Sequence, residues 1–309
     1  MSEHRLGVLL MTYGSPAADL HDLPDYLAAV RGGRSPSAEL VAEFHRRYVL
    51  IGGSPLIAIT RDQAAAVEDR LRRDGLDAHA AVGMRFSKPT ILDGLQRLAA
   101  LGCTTVTAIV MSPQYSELLM SGYRRAIDAA VAELVPGAPA VTLAPAWYRE
   151  PSFIRAVAER IRAGLSPLPD DAPVLLTAHS LPRRVADAEP GYLDQLRETA
   201  ELVARAAGVG ADRWQFCWQS AGHEPGEWMK PDFADLLPRL RDAGHSAVLV
   251  APIQFLADHL EILYDIDIGA RKQAEAAGLR FARIESLNTS PHFIETLVRI
   301  AREQTAAAV

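Results

Sequence analysis

Continuous apolar runs alternate with longer stretches in which apolar residues recur every three or four positions. The runs at 6–11, 77–83, 105–112, 141–146, 173–178, 213–219, 247–254 and 280–285 predict eight strands. Several, such as Thr105-Val106-Thr107-Ala108-Ile109-Val110 and Ala247-Val248-Leu249-Val250-Ala251, do not alternate with polar residues. Strands of that kind are covered on both faces, as in parallel sheets. Between them, 61–73 places Ala64, Val67 and Leu71 on one helical stripe, and 90–100, 116–134, 152–164 and 192–207 read the same way.

This repeated alternation predicts an α/β fold of doubly wound parallel sheets. Eight strands divide into two sheets of four, with domains expected at 1–146 and 147–309. A last helix at 291–306 is free to pack back on the first domain. Sheets of this type bind ligands beyond the carboxyl ends of their strands. That rule selects the loops after Met11, Met84, Met111, Thr177, Trp218 and Ile253.

Composition narrows the class. The chain has 309 residues, of which 49% are hydrophobic and 23% charged, which is ordinary for a globular protein. A net charge of −6 and the absence of a Lys/Arg tract argue against nucleic acid as the main partner. No run reaches the length of a membrane span. The N-terminal residues lead directly into Gly7-Val8-Leu9-Leu10-Met11 without a basic flank and cleavage site, so a cytoplasmic protein is expected. Cys103 and Cys217 stand alone in apolar runs and read as buried reduced thiols; two cysteines cannot ligate a four-thiolate iron–sulfur cluster. There is no Gly-x-Gly-x-x-Gly after the first strand, no Walker A pattern and no Gly-x-Ser-x-Gly elbow. Those absences weigh against dinucleotide, ATP and serine-hydrolase chemistry. A two-lobed metabolite-binding protein stays open on this evidence.

Candidate chemistry clusters at the selected strand ends. His179, in Ala178-His179-Ser180-Leu181-Pro182, is either a structural histidine or a base or metal ligand. Glu261 and Asp265, four apart, share a helix face, with Asp258 three residues earlier as a cap. Their neighbours Phe255, Leu256, Ile262, Leu263 and Tyr264 are apolar, and carboxylates in such company need a cation, a proton or hydrogen bonds. His259 reads as a packing histidine and His223 as a rim residue. Tyr13 follows the first strand beside Gly14 and Pro16. Arg31, Arg46, Arg47 and Tyr48 lie near Ile51-Gly52-Gly53-Ser54-Pro55-Leu56, where Ser54 can cap the helix that follows. Basic residues gathered in loops suit a polycarboxylate ligand.

Taken together, Gly7–Pro16, Tyr48–Leu56, Thr177-Ala178-His179-Ser180-Leu181-Pro182, Trp218-Gln219-Ser220 and Phe255-Leu256-Ala257-Asp258-His259-Leu260-Glu261 resemble the ferrochelatase family over nearly the whole chain. The resemblance implies two Rossmann-like domains with a porphyrin cleft between them. It also implies insertion of ferrous iron into a free-base porphyrin with release of two protons and no cofactor beyond the substrate Fe2+. The family's metal-site histidine and glutamate fall on His179 and Glu261, and Asp265 lies behind as a relay. Where many protoporphyrin-using members carry Asn-Leu-Gly, Thr12-Tyr13-Gly14 resembles the coproporphyrin-using branch, whose tyrosine faces the metal from the other side of the ring. By the same match Arg31, Arg47, Tyr48, Ser54 and Tyr123 are the propionate and cleft candidates. The implied product is iron-coproporphyrin III, one step before decarboxylation to haem b. A protoporphyrin IX chelatase and a non-catalytic porphyrin carrier are the alternatives. Gly269 interrupts an acidic row that some members continue, and Phe86 stands where some place a histidine. The implied partners are the porphyrin and Fe2+, in a monomer with no membrane span, open to transient contact with the next or previous enzyme of haem synthesis.

Overall fold

The computed structural model describes residues 5–222 and 226–307. The chain runs β1 Leu6–Thr12, α1 Leu23–Val30, α2 Ala38–Leu50, α3 Leu56–Arg73, β2 Ala78–Met84, α4 Ile91–Ala100, β3 Thr105–Val110, α5 Glu117–Leu134 and β4 Ala140–Leu143. It continues through α6 Pro151–Leu165, β5 Val174–His179, α7 Arg183–Ala188, α8 Pro190–Ala207, β6 Trp214–Gln219, α9 Phe233–Asp242 and β7 Ala247–Pro252. A π-helix, Glu261–Ala270, then leads into α10 Arg271–Ala276, β8 Arg280–Arg283 and α11 Pro291–Ala307.

All eight expected strands form, and every ladder is parallel. They make two four-stranded sheets of the same order, β2-β1-β3-β4 and β6-β5-β7-β8. The unalternating sequences are explained by position: every residue of β1 and β7 is buried. Expected strand ends overshoot at β3, β4, β7 and β8, where apolar residues continue past the last ladder bond into the loop. No helix among the described residues is long and apolar enough to cross a membrane.

The chain forms two compact units, one of 1–111, 117–147 and 288–309, the other of 112–116 and 148–287. In the first unit α11 packs on α3 and β3, with Phe293, Leu297 and Ala301 fully buried. Helix α4 lies close enough to the sheet that a Cβ at Gly94 would stand 2.6 Å from Leu9 Cδ1 and 2.7 Å from the Val82 carbonyl oxygen.

Helix α2 carries Leu40, Val41, Phe44 and Tyr48 along one side, of which only Tyr48 is fully buried. It is held by its cap, the Leu40 N–H donating to Ser37 Oγ at 3.2 Å, and by Glu43, which pairs with Arg46 and Arg47 at 2.9 and 2.8 Å.

The acidic segment differs from expectation in two respects. Residues 261–270 wind as a π-helix, shown by the Arg271 N–H reaching back five residues to Ile266 O. Asp258 is not its cap. Its carboxylate accepts from Ser286 Oγ at 2.7 Å and lies 3.5 Å from Arg283 Nη2. The Ile262 N–H instead donates to His259 Nδ1 at 3.3 Å.

Candidate active site

In each sheet the strand order reverses beside the second strand in the row, and the two connections there leave in opposite directions. Such a switch point opens a crevice at the carboxyl edge. In the second unit the flanking segments are those after β5 and β7, which begin with His179 and lead to Glu261. Topology therefore brings together two residues 82 positions apart.

His179 occupies the last rung of β5, paired with Gln219 of β6. Its backbone N–H donates to Gln254 Oε1 at 2.9 Å, and Gln254 Nε2 donates in turn to the Tyr192 hydroxyl. On the other side the Ser180 N–H donates to the Gln219 carbonyl at 2.7 Å, and Thr177 Oγ1 donates to Gln219 Oε1. The backbone at the imidazole is thus fixed from both neighbouring strands. Gln219 is visible in the sequence only as part of a motif. Gln254 has one signal, a polar residue interrupting the apolar run Pro252-Ile253-Gln254-Phe255.

The ring is fixed too. His179 Nδ1 lies 2.5 Å from the Ser180 carbonyl oxygen. A carbonyl oxygen only accepts, so Nδ1 carries the proton and neutral His179 presents a lone pair at Nε2. That nitrogen is 3.5 Å from Glu261 Oε2. Oε2 is buried and has no hydrogen-bond partner among the described residues. A nitrogen lone pair facing a carboxylate oxygen is electrostatically incomplete, and a proton or a cation completes it.

Phe255 closes one side of the pair, its ring 6.5 Å from His179 and 4.5 Å from His259, both edge-on. Burial holds the His259 imidazole below its usual range, with Glu261 pulling the other way. With its Nδ1 taken by Ile262, His259 is the hydrogen-bonded packing residue expected. Asp265 lies four residues beyond Glu261 in the π-helix and is half-buried. His223 lies outside the described residues.

The remaining predicted residues belong to the first unit. Tyr13 directly follows β1 and is 41% exposed, its ring 5.1 Å from Phe86. Tyr123, on α5, is buried, and burial drives its phenol far above the ordinary range. Arg31 is exposed at the end of α1, followed by Gly32 and Gly33, both at positive φ. Arg47 is committed to Glu43, which the two neighbouring arginines Arg46 and Arg47 hold down to about 2. Tyr48 is buried one turn before Gly52 and Gly53. Ser54 Oγ accepts the Leu56 N–H at 3.4 Å, just ahead of α3. Arg85, which sequence reasoning passed over, packs against Tyr13, Phe86 and Tyr123.

Cys103 and Cys217 are buried free thiols, and burial raises both, Cys103 to about 11. No group of three or more His, Cys, Asp or Glu among the described residues is arranged to hold a metal.

The architecture is that of the chelatases. SirB from Bacillus subtilis with Fe3+ superposes with a TM-score of 0.63 at 12% identity, covering 98% of this chain and 97% of that one. The sirohydrochlorin chelatase SirB from Bacillus subtilis subspecies spizizenii, in complex with cobalt, gives 0.59 at 13% identity over 98% and 96%. At those identities the likeness is of fold.

Sequence narrows this further. The Ferrochelatase family model matches residues 5–305. A ferrochelatase of Deinococcus radiodurans is 40% identical over 97% of this chain and 96% of its own. Coproporphyrin III ferrochelatases of Geobacillus kaustophilus and Bacillus subtilis are 35% and 33% identical, covering 99% and 97% of this chain and 98% of each relative. The chain belongs to the ferrochelatase family, the metal-chelatase lyases of haem synthesis.

Proposed function

We propose that this enzyme inserts ferrous iron into coproporphyrin III, giving iron-coproporphyrin III and two protons. The observation that carries the chemistry is the 3.5 Å approach of His179 Nε2 to Glu261 Oε2, with the histidine tautomer set by Ser180. The substrate assignment is supported by Thr12-Tyr13-Gly14 after β1 and by relatives named coproporphyrin III ferrochelatase.

A free-base porphyrin carries two pyrrole N–H groups, and both protons leave as a divalent cation enters. The charges balance without electron transfer, so no redox partner is required. The Nε2 lone pair of His179 accepts one pyrrole proton. The imidazolium then carries an N–H opposite Glu261 Oε2, which replaces a lone-pair repulsion with an ion pair. Glu261 presents its carboxylate to Fe2+ and takes up the second proton, which passes toward Asp265. Imidazole and carboxylate suit Fe2+ without the tight hold of thiolates, and the metal has to move on to the macrocycle. Tyr13, Arg31, Arg47, Tyr48, Ser54 and Tyr123 are assigned to the porphyrin and its propionates.

A competition assay tests the proposal. Under anaerobic conditions with Fe2+ and equimolar coproporphyrin III and protoporphyrin IX, the four-band spectrum of free coproporphyrin III is expected to collapse first. Faster metallation of protoporphyrin IX overturns the substrate assignment. Binding of both with no spectral conversion favours the non-catalytic carrier.

A further inference from the structure

Arg85 is a half-buried cation that no carboxylate among the described residues neutralises. It follows the last residue of β2 and is tied to the same carboxyl edge as Tyr13. The Arg85 N–H donates to Thr12 O at 2.9 Å, and the Phe86 N–H donates to Tyr13 O at 3.0 Å. Three rings surround its guanidinium carbon, Phe86 at 4.7 Å, Tyr123 at 5.5 Å and Tyr13 at 5.9 Å. On the fourth side helix α5 is notched to admit it. A Cβ at Gly122 would fall 1.9 Å from Arg85 Nη2 and 2.1 Å from Cζ. Glycine inside a helix is unfavourable, and here the guanidinium supplies its reason.

This packing encloses the cation with rings and helix backbone but pairs few of its donors. A guanidinium has five N–H donors, and the acceptor found for Arg85 is the Leu119 carbonyl at 3.5 Å, the outer limit of a hydrogen bond. Aromatic faces and a notch retain the charge but do not satisfy those donors. A planar, half-buried guanidinium most of whose N–H donors lack acceptors among the described residues is complementary to a carboxylate. Of the arginines assigned to the porphyrin, Arg47 shares its guanidinium with Glu43, so a tetracarboxylate has use for a further cation.

We propose that Arg85 is a specificity-determining residue that binds a carboxylate of the substrate. The proposal rests on the coproporphyrin reading, in which that carboxylate is a propionate of a tetracarboxylate ring. Arg85→Met keeps an apolar side chain against the rings and removes the charge. Arg85→Lys keeps the charge without the fork. Gly122→Ala leaves Arg85 in the chain and pushes its guanidinium out of the notch.

The affinity of metal-free coproporphyrin III and of mesoporphyrin IX, a dicarboxylate, is read by fluorescence titration, with KM and kcat for both. In Arg85→Met and Gly122→Ala, coproporphyrin III is expected to bind about tenfold more weakly, with KM raised about tenfold and kcat little changed, and mesoporphyrin IX to change less than about twofold. Arg85→Lys is expected to fall between. Equal losses on both porphyrins would show that Arg85 only positions the Tyr13 and Tyr123 rings and would overturn the proposal, as would no loss on either. A wild-type enzyme that prefers mesoporphyrin IX overturns the coproporphyrin reading and this proposal with it. An intact wild-type preference that survives Arg85→Met overturns this proposal alone.

Discussion

At the residue scale, the site works by denying His179 and Glu261 a settled partner. The Ser180 carbonyl accepts a hydrogen bond from Nδ1–H, so the lone pair lies at Nε2, and that nitrogen meets a carboxylate oxygen with no hydrogen-bond partner among the described residues. His179→Ala removes the base and is expected to lower iron insertion by about 10²–10⁴-fold, while metal-free porphyrin still binds, as separate turnover and fluorescence measurements would show. Full turnover in that variant would remove its assigned role. Glu261→Gln is expected to cost more turnover than Asp265→Asn, because only Glu261 stands opposite the imidazole. The reverse order would move the primary acid to Asp265.

At the element scale, what the sequence made legible follows from burial. Strands covered on both faces write themselves as unbroken apolar runs, as β1 and β7 do; the half-exposed β4 and β8 left shorter signals. Helix α2 was passed over although Leu40, Phe44 and Tyr48 recur every four residues, because charged residues fill most other positions and only Tyr48 is fully buried. Residues 257–265 were readable as a helix with Glu261 and Asp265 on one side. Its π-bonding was not, because a spacing of four suits either winding. The His179–Glu261 convergence became legible only through motif resemblance, since nothing local relates residues on different strand ends. Arg85 was missed because its signal, a glycine notch in α5 and three rings from separate elements, exists only after folding. Packing at this scale also sets the sign of a substitution. Gly94→Ala gains about 1 kcal/mol of helix propensity. The added methyl meets the Val82 carbonyl oxygen, a strand backbone atom that cannot step aside, and overpacking costs about 1–3 kcal/mol. Net destabilisation is expected, seen as a lower urea midpoint; a raised midpoint would show that α4 shifts freely over the sheet.

At the scale of the whole molecule, the chain leaves its first unit after Trp147 and returns to it from Asn288. Helix α11 contributes Phe293, Leu297 and Val298 to that unit's core. Burying three such side chains stabilises by roughly 6 kcal/mol, comparable with the whole margin of an ordinary domain. Ending the chain at Ser290 is therefore expected to leave the first unit open to limited proteolysis while 148–287 resists. Equal resistance in both would show that α11 is dispensable. The same return has a consequence during synthesis. Sheet β2-β1-β3-β4 leaves the ribosome early, yet the helix that covers it emerges only after the whole second unit. At about 5–20 residues per second, the intervening stretch takes roughly ten to thirty seconds to translate. For that interval the nascent N-terminal half has an uncovered apolar flank beside β3, which makes it the part of this polypeptide most in need of a chaperone.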